Sequence, residues 1–198
     1  MVKEFENKKE WALILGGSSG LGLATAKKLA KHGMNICVVF RNSRSQLDQI
    51  KKDFREITQV SVGFVSYNKD AFQPEKRTEI IEDLKKELDG GKIKVLVHSV
   101  AKGNLKPMVS DSMTELQTDD FQLTIQAMGI SLYDWVKAVF EAKLFSDDGR
   151  VVSFTSEGNS KAFRNYAAVS AAKVTLEAIT RNIALEFASF GILSLIHI

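Results

Sequence analysis

A phenol and an amine stand seven residues apart in the segment VVSFTSEGNSKAFRNYAAVSAAK, residues 151–173. On a helix seven residues is two turns, so Tyr166 and Lys173 would share one face. A lysine ammonium beside a phenol favours its ionisation. A phenol so placed can donate a hydrogen bond or a proton to a substrate oxygen as negative charge develops there. Ser153, Thr155 and Ser156 close the apolar run that precedes the pair. Taken alone, a surface tyrosine and lysine at chance spacing would account for the pattern, and the case rests on a second cluster upstream.

That cluster is ALILGGSSGLG, residues 12–22, with glycines at Gly16, Gly20 and Gly22. It follows an apolar run and opens a helical pattern, the context a dinucleotide loop needs. Gly16 would permit the tight turn, Gly20 would let the backbone approach a pyrophosphate, and Gly22 would let the helix pack closely on the sheet. Free N–H groups at the helix start favour an anion. Ser18 and Ser19 add hydroxyl donors, and Leu21 completes the candidate contacts of the loop. The alternative is a glycine-rich turn with no ligand.

The second apolar run ends in CVVFRNSR, residues 37–44. An NAD site typically places a carboxylate there, to accept from the ribose 2′-OH. Here Arg41 follows at once and Arg44 is close by. A guanidinium suits a 2′-phosphate by charge and geometry, so the expected cofactor is NADP(H); a solvated surface arginine is the competing reading. Asn68 is a candidate for the adenine ring or a plain turn residue.

The elements that must hold these groups are legible as alternating apolar runs and helical patterns. Strands are expected at 11–15, 35–40, 60–67, 93–100 and 150–156, and helices at 21–32, 45–57, 74–88, 118–144 and 165–190, with a further strand starting at 191. Continuous apolar strands separated by helices imply a doubly wound parallel sheet of Rossmann type, with its ligand beyond the strands' carboxyl ends. The 198 residues, 44% apolar and 26% charged, suit one domain with a sizeable core. The net charge of +3 is small and scattered, which argues against nucleic acid as a partner. A single cysteine, Cys37, rules out an internal disulfide framework and any multi-cysteine metal site, and it reads as a buried structural thiol. No metal site is expected. The N-terminal stretch lacks the apolar core of a secretory signal, and no apolar run approaches the length of a membrane span. The expected location is the cytoplasm.

The whole chain resembles the short-chain dehydrogenase/reductases, through the Gly16/Gly20/Gly22 loop, through VLVHSVA at 95–101, which contains the candidate cofactor contact Ser99, and through the Ser/Tyr/Lys segment. Most of that family spaces its tyrosine and lysine as Tyr-x-x-x-Lys, but Val169 occupies that tyrosine position here. Tyr-x6-Lys and HSVA are similar to the divergent enoyl-acyl-carrier-protein reductases. The stretch RNYAAVSAAKVTLEAITRNIALEFASFGI is similar to the NADPH-dependent enoyl reductase III type.

The resemblance implies NADPH-dependent reduction of the trans-2 double bond of an enoyl thioester on acyl carrier protein, in fatty acid synthesis. Tyr166 would bond the thioester oxygen and Lys173 would hold the nicotinamide ribose, with Ser156 as a helper. Two alternatives stay open: a 3-oxoacyl or other carbonyl reductase, and a non-catalytic NADP-binding protein. The asparagine usual in the long middle helix is replaced, with Thr124 or Gln126 nearest. His98 reads as a strand-end residue beside the cofactor rather than a base. The family's pairing of its two long helices implies a homo-oligomer, a tetramer for a whole chain. Lys102, Lys106, Lys161 and Arg164 are candidates for a basic patch facing an acidic carrier, or simply solvated charges.

Relatives continue beyond Ile192 into a strand, a substrate loop and a last strand. The closing LSLIHI alternates like a strand, but a transposase end sequence used in DNA library preparation encodes it in one frame. The expectation is therefore a reductase domain over 1–192, lacking its C-terminal strand and substrate loop, followed by a non-native tail at 193–198.

Overall fold

Six apolar runs form strands: β1 (Glu10–Leu15), β2 (Asn35–Phe40), β3 (Phe64–Asn68), β4 (Lys92–His98), β5 (Phe145–Phe154) and β6 (Leu193–His197). They belong to a computed structural model that describes residues 3–6, 8–61, 63–111 and 114–197. All the pairings are parallel, and the sheet order is β3-β2-β1-β4-β5-β6. The chain reverses its winding at β1, so the carboxyl ends of β1 and β4 flank a crevice where their connections part in opposite directions. The doubly wound Rossmann-type sheet expected from the sequence is thus present. The helices are α1 (Gly20–Lys31), α2 (Leu47–Thr58), α3 (Pro74–Glu87), α4 (Thr118–Ile125), α5 (Ser131–Glu141) and α6 (Ala167–Glu186).

Strand alternation divides the core. Leu13, Leu15, Cys37 and Val39 pack with Ile80, Leu84, Trp135, Val139 and Leu176 on the face covered by α3, α5 and α6. Ala12, Ile14, Ile36 and Val38 pack with Ala26, Ala30, Ile50 and Phe54 on the face covered by α1 and α2. Both faces of β1 and β2 are buried, which is why those runs carry no polar alternation. Burial pushes the Cys37 thiol up, away from reactivity, as its apolar run implied. Among the described residues no helix is long and apolar enough to cross a membrane.

Several boundaries differ from the sequence expectation, among them β5, which starts at Phe145 rather than at 150. β3 starts at Phe64 because the backbone N–H groups of Val60 and Ser61 still bond Ile57 O at the end of α2. The long middle helix is broken into α4 and α5 by a π-turn, Gln126–Ile130. Gly129 lies there against α6, where an added Cβ would stand 3.0 Å from Thr175 Cγ2 and 3.2 Å from Ala172 O. α6 begins at Ala167 because Asn165 is left-handed (φ 62°) and turns the chain into the helix at Tyr166. The residues read as a tail, Leu193–His197, are hydrogen-bonded to β5 as β6.

Candidate active site

A cavity of about 1000 Å³ opens at the carboxyl ends of the central strands. The β1–α1 loop lines it with Gly16, Ser18, Ser19, Gly20 and Leu21, and Arg41 enters from the end of β2. Ser99, Ser156, Tyr166 and Lys173 line it from the loops after β4 and β5 and from α6. The structure therefore brings both sequence clusters into one space, although they are about 150 residues apart.

At the glycine loop the backbone shapes the site. Gly16 is left-handed (φ 81°) and donates to Val39 O at 2.8 Å; a Cβ there would stand 2.3 Å from Ser99 O. Gly22 lies beneath the loop rather than in the cavity, where a Cβ would be 2.4 Å from Gly16 O. Only glycine allows this close approach between turn and helix. Gly20 has nothing within 4 Å of its Cβ position. Ser19 precedes the helix without a side-chain cap, and the first turn holds no acidic residue. The loop thus offers uncapped N–H groups at a twelve-residue helix, on the cavity side. Ser18 Oγ donates to Asn42 Oδ1 at 2.9 Å.

The cavity lining carries four cations, Arg41, Lys69, Lys102 and Lys173, and no carboxylate. A polyanion such as a dinucleotide fits that charge and the backbone cradle. Arg41 pairs with the Asp70 carboxylate, which stands just beyond β3. Asn68 had two readings, an adenine contact or a turn residue. It is not part of the lining, because both ends of its amide bond the Asn42 backbone, accepting at 2.9 Å and donating at 3.1 Å. It holds the β2 loop to the β3 loop.

At the other end side chains shape the site. Tyr166 caps α6, so the pair expected on one helix face is formed by a helix boundary and its second turn. The Tyr166 hydroxyl is 3.3 Å from Ser156 Oγ, which accepts from Gly158 N at 3.2 Å. The tyrosine ring lies over Gly158, where a Cβ would stand 2.5 Å from Cε1. Phe163 meets the ring edge-on. Lys173 is only 7% exposed and donates to Phe154 O at 2.6 Å. Burial lowers its pKa to about 8, opposed in part by the charge of Glu177. Glu177 accepts from Thr155 Oγ1 at 2.6 Å and from Asn159 Nδ2, tying the loop that carries Ser156 to α6. The sequence reading missed Glu177, Gly158 and Asp70. The four-residue spacing from Lys173 to Glu177 was the one available signal.

His98 is buried, and desolvation followed by the charge of Lys173 lowers its pKa to about 3. Ser131 donates its one proton to Ala127 O at 2.7 Å, so His98 Nε2, 2.8 Å away, is the donor to Ser131 Oγ. It is a neutral structural histidine, not a base. Thr124 Oγ1 donates to Asp120 O at 2.6 Å, and Gln126 Nε2 donates to Asp134 Oδ2 at 3.3 Å. Neither lines the cavity; Met128 of the π-turn does. Of the candidate basic patch only Lys102 lines the cavity, with its ammonium 4.9 Å from the Phe72 ring centre. Lys106 pairs with Asp120 at 3.0 Å and Lys161 with Glu157 at 2.9 Å, while Arg164 is exposed. Among the described residues no cluster of three or more metal-ligating side chains occurs.

Residues 16–193 match the family profile described as Enoyl-(Acyl carrier protein) reductase. The chain is 26% identical over 195 residues to a very-long-chain 3-oxoacyl-CoA reductase-like protein of Arabidopsis thaliana, a match covering 96% of this chain and 59% of that protein. It is 25% identical over 187 residues to the 1-cyclohexenylcarbonyl-CoA reductase of Streptomyces collinus, covering 94% and 62% of the two chains. The chain therefore spans less than two thirds of the length of either relative. Among solved structures, an NAD+-bound xylitol dehydrogenase superposes with a TM-score of 0.79 at 25% identity, covering 96% of this chain and 69% of that one.

Proposed function

The chain belongs to the short-chain dehydrogenase/reductase family, and from that premise we propose that it reduces the trans-2 double bond of an enoyl thioester with NADPH. The observation that carries this reading is the Tyr166 hydroxyl and buried Lys173 sharing one cation-lined cavity with the glycine loop. Family membership and the NAD+ on the xylitol dehydrogenase neighbour point to a nicotinamide cofactor. Arg41 favours the phosphorylated form.

When bound, the nicotinamide supplies hydride to the substrate β-carbon. The β1–α1 loop would hold the pyrophosphate through backbone N–H groups, and Arg41 the 2′-phosphate. Lys173, with one donor spent on Phe154 O, would use its other two on the nicotinamide ribose hydroxyls. Tyr166 would donate to the thioester oxygen as enolate charge collects there, and a proton from water would then complete the α-carbon of the saturated product. Ser156, 3.3 Å from that hydroxyl, would assist by donating to the phenol oxygen. The relative from Streptomyces collinus is named for reducing a conjugated thioester, which supports the choice of bond. The asparagine that serves a proton relay in many family members is replaced, and Thr124 and Gln126, the nearest residues, both bond away from the cavity; this does not weigh against enoyl reduction, which relies less on that relay.

A 3-oxoacyl reductase is the second reading. The contact of Ser156 with Tyr166 favours it, since the same pair could polarise a ketone, and the relative from Arabidopsis thaliana carries that name. Crotonyl and acetoacetyl thioesters, each offered with NADPH, separate the two. Oxidation of NADPH with the crotonyl substrate supports the first, and oxidation with acetoacetyl alone transfers the assignment to the second. Nucleotide binding with no turnover of either would leave a binding protein. The exposed apolar side chains Leu123, Ile130, Tyr133, Val174 and Leu185 on the middle helix and α6 support pairing between copies of the chain. Lys102 and Arg164 are the basic candidates for an acyl carrier, free of the ion pairs that engage Lys106 and Lys161.

A further inference from the structure

Just behind the rim of the cavity where Arg41 enters, outside the lining itself, stands a carboxylate that sequence spacing did not place there. Arg41 directly follows β2, and Asp70 lies two residues past β3, the neighbouring parallel strand. Arg41 Nη1 donates to Asp70 Oδ2, while Asp70 Oδ1 accepts from Phe72 N at 3.1 Å. The carboxylate is therefore pinned from both sides. It is also the more sheltered partner, with its side chain 12% exposed against 65% for Arg41. Beside it the Asn68 amide bonds the Asn42 backbone twice, so the loops after β2 and β3 are tied together. Lys69 lines the cavity close by, but its ammonium is engaged by Glu79 at 3.1 Å.

We propose that Asp70 is a specificity-determining residue: it holds Arg41 at the cavity rim while offsetting its charge, and so weakens the preference for a 2′-phosphorylated nucleotide over the unphosphorylated one. This rests on the dinucleotide reading of the cavity given above. Arginine has five N–H donors, and one is spent here, so the guanidinium can still receive a phosphate. Any phosphate it receives sits within a few ångströms of a fixed carboxylate, and like charges at that range oppose binding. A nucleotide without the phosphate meets no such opposition. Removing the negative charge should therefore act on one nucleotide and spare the other.

Asp70→Asn keeps an oxygen for Phe72 N and removes the charge. Binding of NADPH and of NADH is titrated by nucleotide fluorescence for the unmutated protein, Asp70→Asn, Arg41→Leu and the double variant. Asp70→Asn is expected to tighten NADPH by about tenfold and leave NADH within about twofold. In the Arg41→Leu background the same change is expected to alter NADPH by less than about twofold. Retained NADH binding shows that each variant is folded. Weaker NADPH binding by Asp70→Asn overturns the proposal, since Asp70 would then only orient Arg41. An unchanged ratio of the two nucleotides overturns it as well. Failure of the unmutated protein to bind either nucleotide overturns the dinucleotide reading itself.

Discussion

At the β1–α1 end of the cavity the backbone carries the site. Gly16, Gly20 and Gly22 contribute no side chain, and the loop's donors are peptide N–H groups at a helix start. At the β5–α6 end the working atoms are a phenol, two hydroxyls, an ammonium and a carboxylate: Thr155 bonds Glu177, Ser156 contacts Tyr166, and the ammonium is held by the Phe154 carbonyl. Backbone geometry is nearly all-or-none, because a peptide carbonyl cannot step aside for a methyl group. Side-chain geometry degrades gradually. The first end should therefore fail in stability when altered, and the second in rate.

The largest effect is expected at Gly16. Its left-handed φ of 81° and the 2.3 Å between an added Cβ and Ser99 O leave Gly16→Ala no small adjustment. A loss of about 4 kcal/mol in unfolding free energy is expected, measured by urea denaturation. Gly20→Ala is the internal control: it has a positive φ of 54° but open space around the Cβ, and should cost about 1 kcal/mol. Equal costs at the two sites would show that the close approach to Ser99 O does not set the cost at Gly16, and so would remove the all-or-none character claimed for this end.

The next effect belongs to the other end. Gly158→Ala puts a Cβ 2.5 Å from the Tyr166 ring, which can swing aside into the cavity. The expected outcome is a fall in kcat of about 100-fold with NADPH affinity held within about twofold. Tyr166→Phe should cost roughly as much or more in kcat. If Gly158→Ala instead unfolds the chain, the β5–α6 end is as rigid as the glycine loop.

These two ends also differ in what their residues disclose in one dimension. The glycine spacing prescribes a local turn, so the loop and its strand–helix setting were legible from the sequence, as were the sheet class and the Tyr166/Lys173 pair. Gly158 was not, because its neighbour is a ring that only the folded loop lays over it. Asp70 was not, because its partner comes from another strand end. Asn68 had two readings by residue type, and the β2–β3 register Phe40↔Asn68 brought it to the Asn42 backbone. The π-turn was invisible because its sequence, QAMGI, is ordinary for a helix, and the close approach of Gly129 to α6 exists only in the fold.

The smallest effect sharpens the contrast through pH. Lys173 has its pKa lowered by burial from the usual 10.5 to about 8. Below pH 8 both folded and unfolded chains hold the proton, and the fold carries the full cost of a sheltered ammonium. Between pH 8 and 10.5 the folded chain gives up the proton first, so the unfolded chain binds more protons and stability rises with pH. Lys173→Met removes the group. At pH 7 the variant should be more stable than the unmutated protein by about 1 to 2 kcal/mol, allowing for water that reaches the ammonium through the cavity. That gap should close as pH climbs past 10, read by denaturation at each pH. The cost of Gly16→Ala, which involves no titrating group, should stay flat over the same window. A Lys173→Met gap equally flat across it would remove the cost of holding the ammonium charged, and with it the view that this end of the cavity keeps a strained cation ready for an anionic ligand.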